Sequence, residues 1–306
     1  MPKSSKPQQL RLQRDGLELS AQLHGPGNAP LVMLVHGFPD TPHGWSGVLP
    51  LLLAQGYQVL VPWLRGYTSA SVGRSQSYGL LSAASDLQAW HELLGSPPLH
   101  LVGHDWGAVL AMTWAGLDDS ALSTVSLLAI PPVPGLSRLW PALKTLPRQL
   151  RLSSYMALMQ SEWAPALICR DDAAYVRNLW RRWSPDWQFT EAQFEPTRKV
   201  FSDPLNAWAA TRYYRALFTL NKPETRLALQ CLMTPLKVPT LALAGLNDGC
   251  MGMDFHKALL QPTAFAGGLT VAHLPDCGHF LQAEKPDEVA SALLSHFANH
   301  CHKATY

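Results

Sequence analysis

The sequence predicts an α/β fold: a mostly parallel central sheet flanked by helices and interrupted once by a helical cap. Three observations predict it. Up to about residue 130, short apolar runs alternate with helix-length segments, the rhythm of parallel strands joined by helical crossovers. The run PPVPG at 131–135 breaks that rhythm, and about a hundred residues follow without a convincing buried strand. The rhythm resumes at Val238 and lasts to a closing helix. The expected division is a core of residues 1–130 and 236–306, with a cap, or lid, inserted at 131–235.

Residues 10–14 and 17–24 alternate polar and apolar positions around Asp15-Gly16, which reads as a hairpin at a sheet edge. The run LVMLVHGF after Pro30 is continuously apolar, as in a strand buried on both faces. A helix is expected near 43–55, stopped by Gly56. A strand over 57–63, a helix over 81–94 with Gly95 behind it, and a buried strand at 99–102 come next. Helix 106–116 and strand 124–130 complete the first half. The insertion holds six of the eleven tryptophans (Trp140, Trp163, Trp180, Trp183, Trp187 and Trp208) and reads as several short helices punctuated by proline. A strand at 240–244, a helix near 254–260, a strand at 269–274 and a helix from 286 to about 300 finish the core. Ligands bind beyond the carboxyl ends of such strands, so an aromatic-rich insert there suits a lid.

Composition narrows the function classes. A chain of 306 residues can bury a core without disulfide or metal support. With 47% hydrophobic residues but only 15% charged, against about 25% usually, it is no disordered chain, coiled coil or fibrous repeat. The net charge is +2 and the longest basic run is Arg181-Arg182, so nucleic-acid or polybasic membrane binding has no electrostatic support. Five scattered cysteines (Cys169, Cys231, Cys250, Cys277 and Cys301) lack C-x-x-C spacing, which suggests neither a disulfide framework nor a zinc site. The segment MPKSSKPQQLRLQRDG has no apolar core of a secretory signal, and no stretch approaches about 18 uninterrupted apolar residues. A reduced, cytoplasmic setting is expected.

Directly after the strand at 99–102 comes Gly103-His104-Asp105-Trp106-Gly107, then a helix. This is the nucleophile-elbow frame G-x-S-x-G with aspartate in the serine position. The glycines suit a tight turn in which a side chain would strike neighbouring backbone. The turn presents Asp105 at an exposed tip, where the helix N-terminus favours the ionised carboxylate. Elbow enzymes place nucleophile, acid and histidine in that order along the chain. Here Gly245-Leu246-Asn247-Asp248 follows the strand at 240–244, and Asp276-Cys277-Gly278-His279 follows the strand at 269–274. Asp248 and His279 are the candidate acid and base, while His24, His91 and His296 read as surface or packing residues. The loop His36-Gly37-Phe38-Pro39-Asp40 follows the third strand, where an oxyanion-binding loop belongs. No G-x-S-x-G occurs, so a serine esterase would have no nucleophile.

From HGFPD through GHDWG to DCGHFLQAEKP, these motifs span nearly the whole chain. With them the sequence resembles the α/β-hydrolase fold family and, within it, the epoxide hydrolases; haloalkane dehalogenases share the aspartate elbow. The resemblance implies Asp105 as nucleophile, His279 as general base and Asp248 as the carboxylate that orients it. It also implies two cap tyrosines donating to the epoxide oxygen: Tyr155, in YMALMQ, and Tyr214, which precedes Arg215 in RYYR. Tyr213 and Tyr214 would stand about 100° apart on a helix, so one of them faces the cleft, and the Tyr-Arg pairing selects Tyr214.

The chemistry also follows from the residue types. A carboxylate attacks an electrophilic carbon and forms an ester, which a second step hydrolyses. Aspartate, with a pKa of about 3.9, is ionised at neutral pH. His279, near about 6.5 if unperturbed, can take a proton from water, and Asp248 would set its tautomer. The oxyanion forms on Asp105 itself, so the backbone N–H groups of Phe38 and Trp106, which also line the expected pocket, are its donors, each worth about 3–4 kcal/mol. An epoxide leaves as a poor alkoxide, which a phenol donor corrects. The expected activity is hydrolysis of a hydrophobic epoxide to a vicinal diol, with water as the co-substrate and neither cofactor nor metal. One alternative is a haloalkane dehalogenase using the same aspartate, although Phe38 offers no side-chain donor to a halide. The other is a non-catalytic binder of an apolar ligand, to which a complete triad would be useless.

Overall fold

The computed structural model describes residues 7–300; the first six residues of the basic N-terminal stretch and Cys301 lie outside the described residues. Eight strands form one sheet: β1 (Gln8–Arg14), β2 (Leu17–His24), β3 (Leu31–Val35), β4 (Gln58–Pro62), β5 (Leu99–His104), β6 (Leu122–Leu128), β7 (Thr240–Gly245) and β8 (Leu269–Leu274). Their spatial order is β1-β2-β4-β3-β5-β6-β7-β8. The β1–β2 hairpin is antiparallel and joins β4 antiparallel, and every other pairing is parallel. β3, β4, β5 and β7 are buried along their whole length, as their continuous apolar runs require, whereas β1 and β8 are partly exposed edges.

Helices α1 (Val48–Ala54), α2 (Leu80–Leu93) and α3 (Trp106–Leu117) lie between the early strands. Between β6 and β7 come α4 (Trp140–Leu143), α5 (Leu146–Leu152), α6 (Tyr155–Met159), α7 (Ala164–Trp183), α8 (Glu191–Phe201), α9 (Pro204–Leu217) and α10 (Pro223–Leu232). Then follow α11 (Met253–Leu259), α12 (Leu281–Glu284) and α13 (Pro286–Ala298). Alternate strand residues feed opposite layers. Val32, Leu34, Val102 and Leu243 pack with Trp45 and Leu52 near and on α1 and with Leu293 and Phe297 on α13. Met33, Val35, Leu60 and Leu101 pack with α2 and α3 on the other face. Among the described residues no helix is long and apolar enough to cross a membrane.

Several boundaries differ from the sequence expectation, each for a local reason. The helix expected at 43–55 is a 3-10 turn, Pro42–Trp45, followed by α1. β5 continues through Gly103 and His104, because both pair with β6, and β6 ends at Leu128 rather than at 130. The inserted helices are not all short. α7 is 20 residues long, with a non-helical break over Arg170, Asp171, Asp172 and Ala173, and α9 has 14 residues. The buried stripe Val176, Leu179, Trp180 and Trp183, at helical spacing, accounts for the length of the second half of α7.

Register brings the carboxyl ends of the parallel strands into a row: Val35 pairs with Gly103, His104 with Leu128, Leu128 with Leu243 and Gly245 with Leu274. The loops that follow β3, β5, β7 and β8 therefore emerge side by side. Beside β4, Arg65 is fully buried and ion-paired through two nitrogens with Asp86 on α2, both at 2.6 Å. It also bonds Asp15 of the hairpin turn and the Ser77 carbonyl. Its own carbonyl accepts the Tyr213 hydroxyl at 2.9 Å, which ties α9 to the core.

Candidate active site

Asp105 stands between β5 and α3 at φ +51°, ψ −118°, a conformation strained for any residue with a side chain. Neighbours hold it there. Its N–H donates to the Leu128 carbonyl at the end of β6, and its carbonyl accepts from Ala108 and Val109 in the first turn of α3. A Cβ on Gly103 would lie 2.2 Å from the Gly107 oxygen, and one on Gly107 would lie 2.2 Å from the Val35 oxygen. Neither elbow glycine can therefore carry a side chain. Asp105 Oδ1 accepts the Phe38 N–H at 2.7 Å. Gly37 permits that approach, since a Cβ there would come within 2.4 Å of Oδ1 and 2.5 Å of the Trp106 nitrogen. The expected exposed tip is corrected: Asp105 is 5% exposed, because side chains from α6, α7 and α9 close over the elbow.

His279 is fully buried on the loop after β8. Its Nδ1 lies 2.9 Å from Asp248 Oδ2 and its Nε2 3.6 Å from Asp105 Oδ2. Asp248 Oδ1 accepts the N–H groups of Cys250 and Met251 at 2.7 and 2.8 Å, which fixes that carboxylate. Burial alone would lower the imidazole pKa. The carboxylates of Asp248 and Asp105 outweigh it and push the value up to about 10, away from the unperturbed value used in the sequence reading. His104 stays neutral under burial and the neighbouring charge, and its Nε2–H donates to the His279 carbonyl at 2.9 Å.

Tyr155 on α6 and Tyr214 on α9 meet edge to face, with ring centroids 5.7 Å apart. Tyr214 also packs against Phe38 at 5.5 Å and Trp106 at 4.9 Å. Its hydroxyl is buried and has no hydrogen-bond partner among the described residues. Tyr213 spends its hydroxyl on the Arg65 carbonyl, so of the two adjacent tyrosines only Tyr214 keeps a free donor. Burial first, and the Asp105 charge among the neighbours, hold the phenols of Tyr155 and Tyr214 well above their ordinary range, so both keep their protons.

Four neighbours of the site escaped sequence reasoning. Trp183, the last residue of α7, packs its ring against Tyr155 (4.9 Å) and His279 (5.0 Å), and its carbonyl accepts the N–H groups of Gly249 and His279. Ser184 Oγ accepts the N–H groups of His279 and Phe280 and donates to Glu284. Cys250 touches the Tyr155 hydroxyl. Asp40 is buried and accepts from Gln282 at 3.0 Å; burial, with the Asp105 charge adding, pushes its pKa up to about 7 against the bonds from Thr41 and Gln282. Only Asp40 carried a signal, as the last residue of HGFPD. Of the histidines read as surface or packing residues, His91 and His296 are buried. The described cysteines are free thiols.

The chain matches the alpha/beta hydrolase fold family over residues 30–286. Epoxide hydrolase A of Mycobacterium tuberculosis is 26% identical over 313 residues, covering 94% of this chain and 96% of the relative. Fluoroacetate dehalogenase of a Burkholderia species is 29% identical over 279 residues, covering 87% and 86%. The crystal structure of epoxide hydrolase A from Mycobacterium thermoresistibile superposes with a TM-score of 0.80 at 23% identity, over 96% of this chain and 98% of that one, a likeness of fold. The strand order, the aspartate elbow after β5 and the family match agree: this chain belongs to the α/β-hydrolase fold family.

Proposed function

We propose that the chain is an epoxide hydrolase that opens a hydrophobic epoxide by attack of Asp105 and releases a vicinal diol when the resulting ester is hydrolysed. The observation that carries this reading is the pair of protonated phenols, Tyr155 and Tyr214, converging beside an elbow aspartate, with the Tyr214 hydroxyl unpartnered among the described residues. Residues 131–235 serve as the cap that supplies both. The relative from Mycobacterium tuberculosis named as an epoxide hydrolase supports the substrate class.

In the resting site His279 is an imidazolium between two carboxylates, and the first step needs no base. Asp105 Oδ1 is held by Phe38, which leaves Oδ2 to attack carbon. The ring oxygen gains charge as its bond to carbon breaks, and phenol donors stabilise that charge more in the transition state than in the ground state. Ester formation removes the Asp105 charge, one of the groups that keeps the proton on His279. The imidazolium pKa then falls, its proton passes to solvent, and the neutral imidazole can take a proton from water, so the base is available when the ester exists. The oxyanion of the second step develops on Oδ1, against the Phe38 and Trp106 N–H groups.

A second reading, cleavage of a carbon–halogen bond, has one specific support: the Trp106 indole N–H is buried without a hydrogen-bond partner among the described residues. One experiment separates the two. Purified protein is given styrene-oxide-like epoxides and short haloalkanes, as wild type and as Tyr155→Phe, Tyr214→Phe and the double variant. An epoxide hydrolase loses about 10- to 1000-fold in each single variant, the scale of one charge-stabilising donor, and nearly all activity in the double variant. Epoxide turnover that survives the double change removes the phenols from the mechanism. Haloalkane turnover without epoxide turnover overturns the class.

A further inference from the structure

Cys250 sits where the acid loop meets the inserted helices, and it makes three contacts. Its N–H donates to Asp248 Oδ1 at 2.7 Å, its carbonyl accepts from Gln149 on α5 at 3.1 Å, and its thiol lies 3.7 Å from the Tyr155 hydroxyl. The side chain is 4% exposed. Gln149 also accepts the Gly252 N–H, so α5 grips the loop on both sides of the thiol and fixes where the sulfur lies.

The direction of the thiol–phenol contact follows from counting hydrogens. A phenol has one; if it goes to sulfur, none is left for a bound oxygen. A thiol also has one and is a weak donor. If sulfur donates to the phenol oxygen, the phenol hydrogen is free to turn toward the space shared with Tyr214, whose hydroxyl has no hydrogen-bond partner among the described residues. Hydrogen bonds in such a chain polarise one another, so the phenol becomes the better donor. Burial and the nearby Asp248 and Asp105 charges keep the thiol protonated, so it has the hydrogen to give.

Building on the epoxide reading above, we propose that Cys250 is a positioning residue that donates its S–H to the Tyr155 oxygen and so directs the phenol hydrogen at the oxygen of a bound epoxide. The thiol takes no covalent part.

The test is a double-mutant cycle read step by step. Single-turnover rates of Asp105 ester formation and of ester hydrolysis, with a styrene-oxide-like substrate, are measured for wild type, Cys250→Val, Tyr155→Phe and the double variant. Cys250→Val is expected to slow ester formation about fivefold, the scale of one neutral hydrogen bond, and to leave ester hydrolysis and apparent substrate affinity unchanged. In the Tyr155→Phe background it should cost nothing more. Cys250→Ser, which keeps a donor, should recover most of the lost rate, and Cys250→Ala replaces the valine variant if that one does not fold. Equal costs in both backgrounds, or equal slowing of both steps, would overturn the role, since general damage to the acid loop does both. A wild type that turns over no epoxide overturns the activity assignment itself, an outcome distinct from an active wild type with an additive cycle.

Discussion

At the scale of single residues, charge decides what each group can do. His279 is pressed by burial toward neutrality and by two carboxylates toward the charged form, and the carboxylates prevail. The elbow turns the Asp105 carboxylate toward the Phe38 N–H, which donates to Oδ1 at 2.7 Å. If the base works only in the second step, His279→Gln should still react once. We expect it to accumulate an ester on Asp105, visible as an added substrate mass on the intact protein, with turnover down by more than about a hundredfold. A variant that forms no adduct with a good substrate would move His279 into the first step.

At the scale of elements, the C-terminus of α7 organises both loops that carry Asp248 and His279. The Trp183 carbonyl receives the N–H groups of Gly249 and His279, and Ser184 Oγ receives those of His279 and Phe280. Gly278 makes room for this, because a Cβ there would stand 2.5 Å from Ser184 Oγ. The inserted helices thus hold the histidine in place as well as covering the site. Ser184→Ala removes the hydroxyl bond to Glu284 and one of the two acceptors of each N–H, leaving His279 N–H on the Trp183 carbonyl and Phe280 N–H on Glu284, at a cost of about 1 kcal/mol. The expected result is a Tm lower by several degrees and slower ester hydrolysis, with ester formation less affected. An unchanged Tm would mean that the Trp183 carbonyl and Glu284 hold the loop without the serine.

At the scale of the whole molecule, the apolar layers on both faces of the sheet supply the stability that lets charged groups be buried at the strand ends. Asp40 puts that burden in measurable form. Its folded pKa of about 7 lies above the ordinary aspartate value of 3.8, so the folded state favours the protonated acid. The stability this gives is fully present below the unfolded pKa and is lost as pH rises through about 7. His279, also raised, loses its share at higher pH, between 6.5 and about 10. Asp40→Asn imitates the protonated acid and should remove the first of these slopes. Between pH 5 and 7 the Tm of the variant should fall less than that of wild type. Parallel Tm curves would show that Asp40 does not titrate in that window.

The sequence by itself determined the sheet, the break in its rhythm after β6, and the placing of Asp105, Asp248 and His279 each just past a strand. Those features depend on local patterns: uninterrupted apolar runs, glycines at a turn, and a polar residue just past a strand. Those three residues were legible for that reason, and the register of the parallel strands then carries their loops to one edge. Tertiary structure alone decided the rest. Only the bond from Tyr213 to the Arg65 carbonyl leaves Tyr214 as the free phenol, and that contact spans 148 residues. Trp183 and Ser184 reach His279 from a helix with no motif, and Cys250 meets Tyr155 across 95 residues. Contacts between segments so far apart have no period and no spacing to read; packing chooses them when the inserted helices close on the ends of the strands.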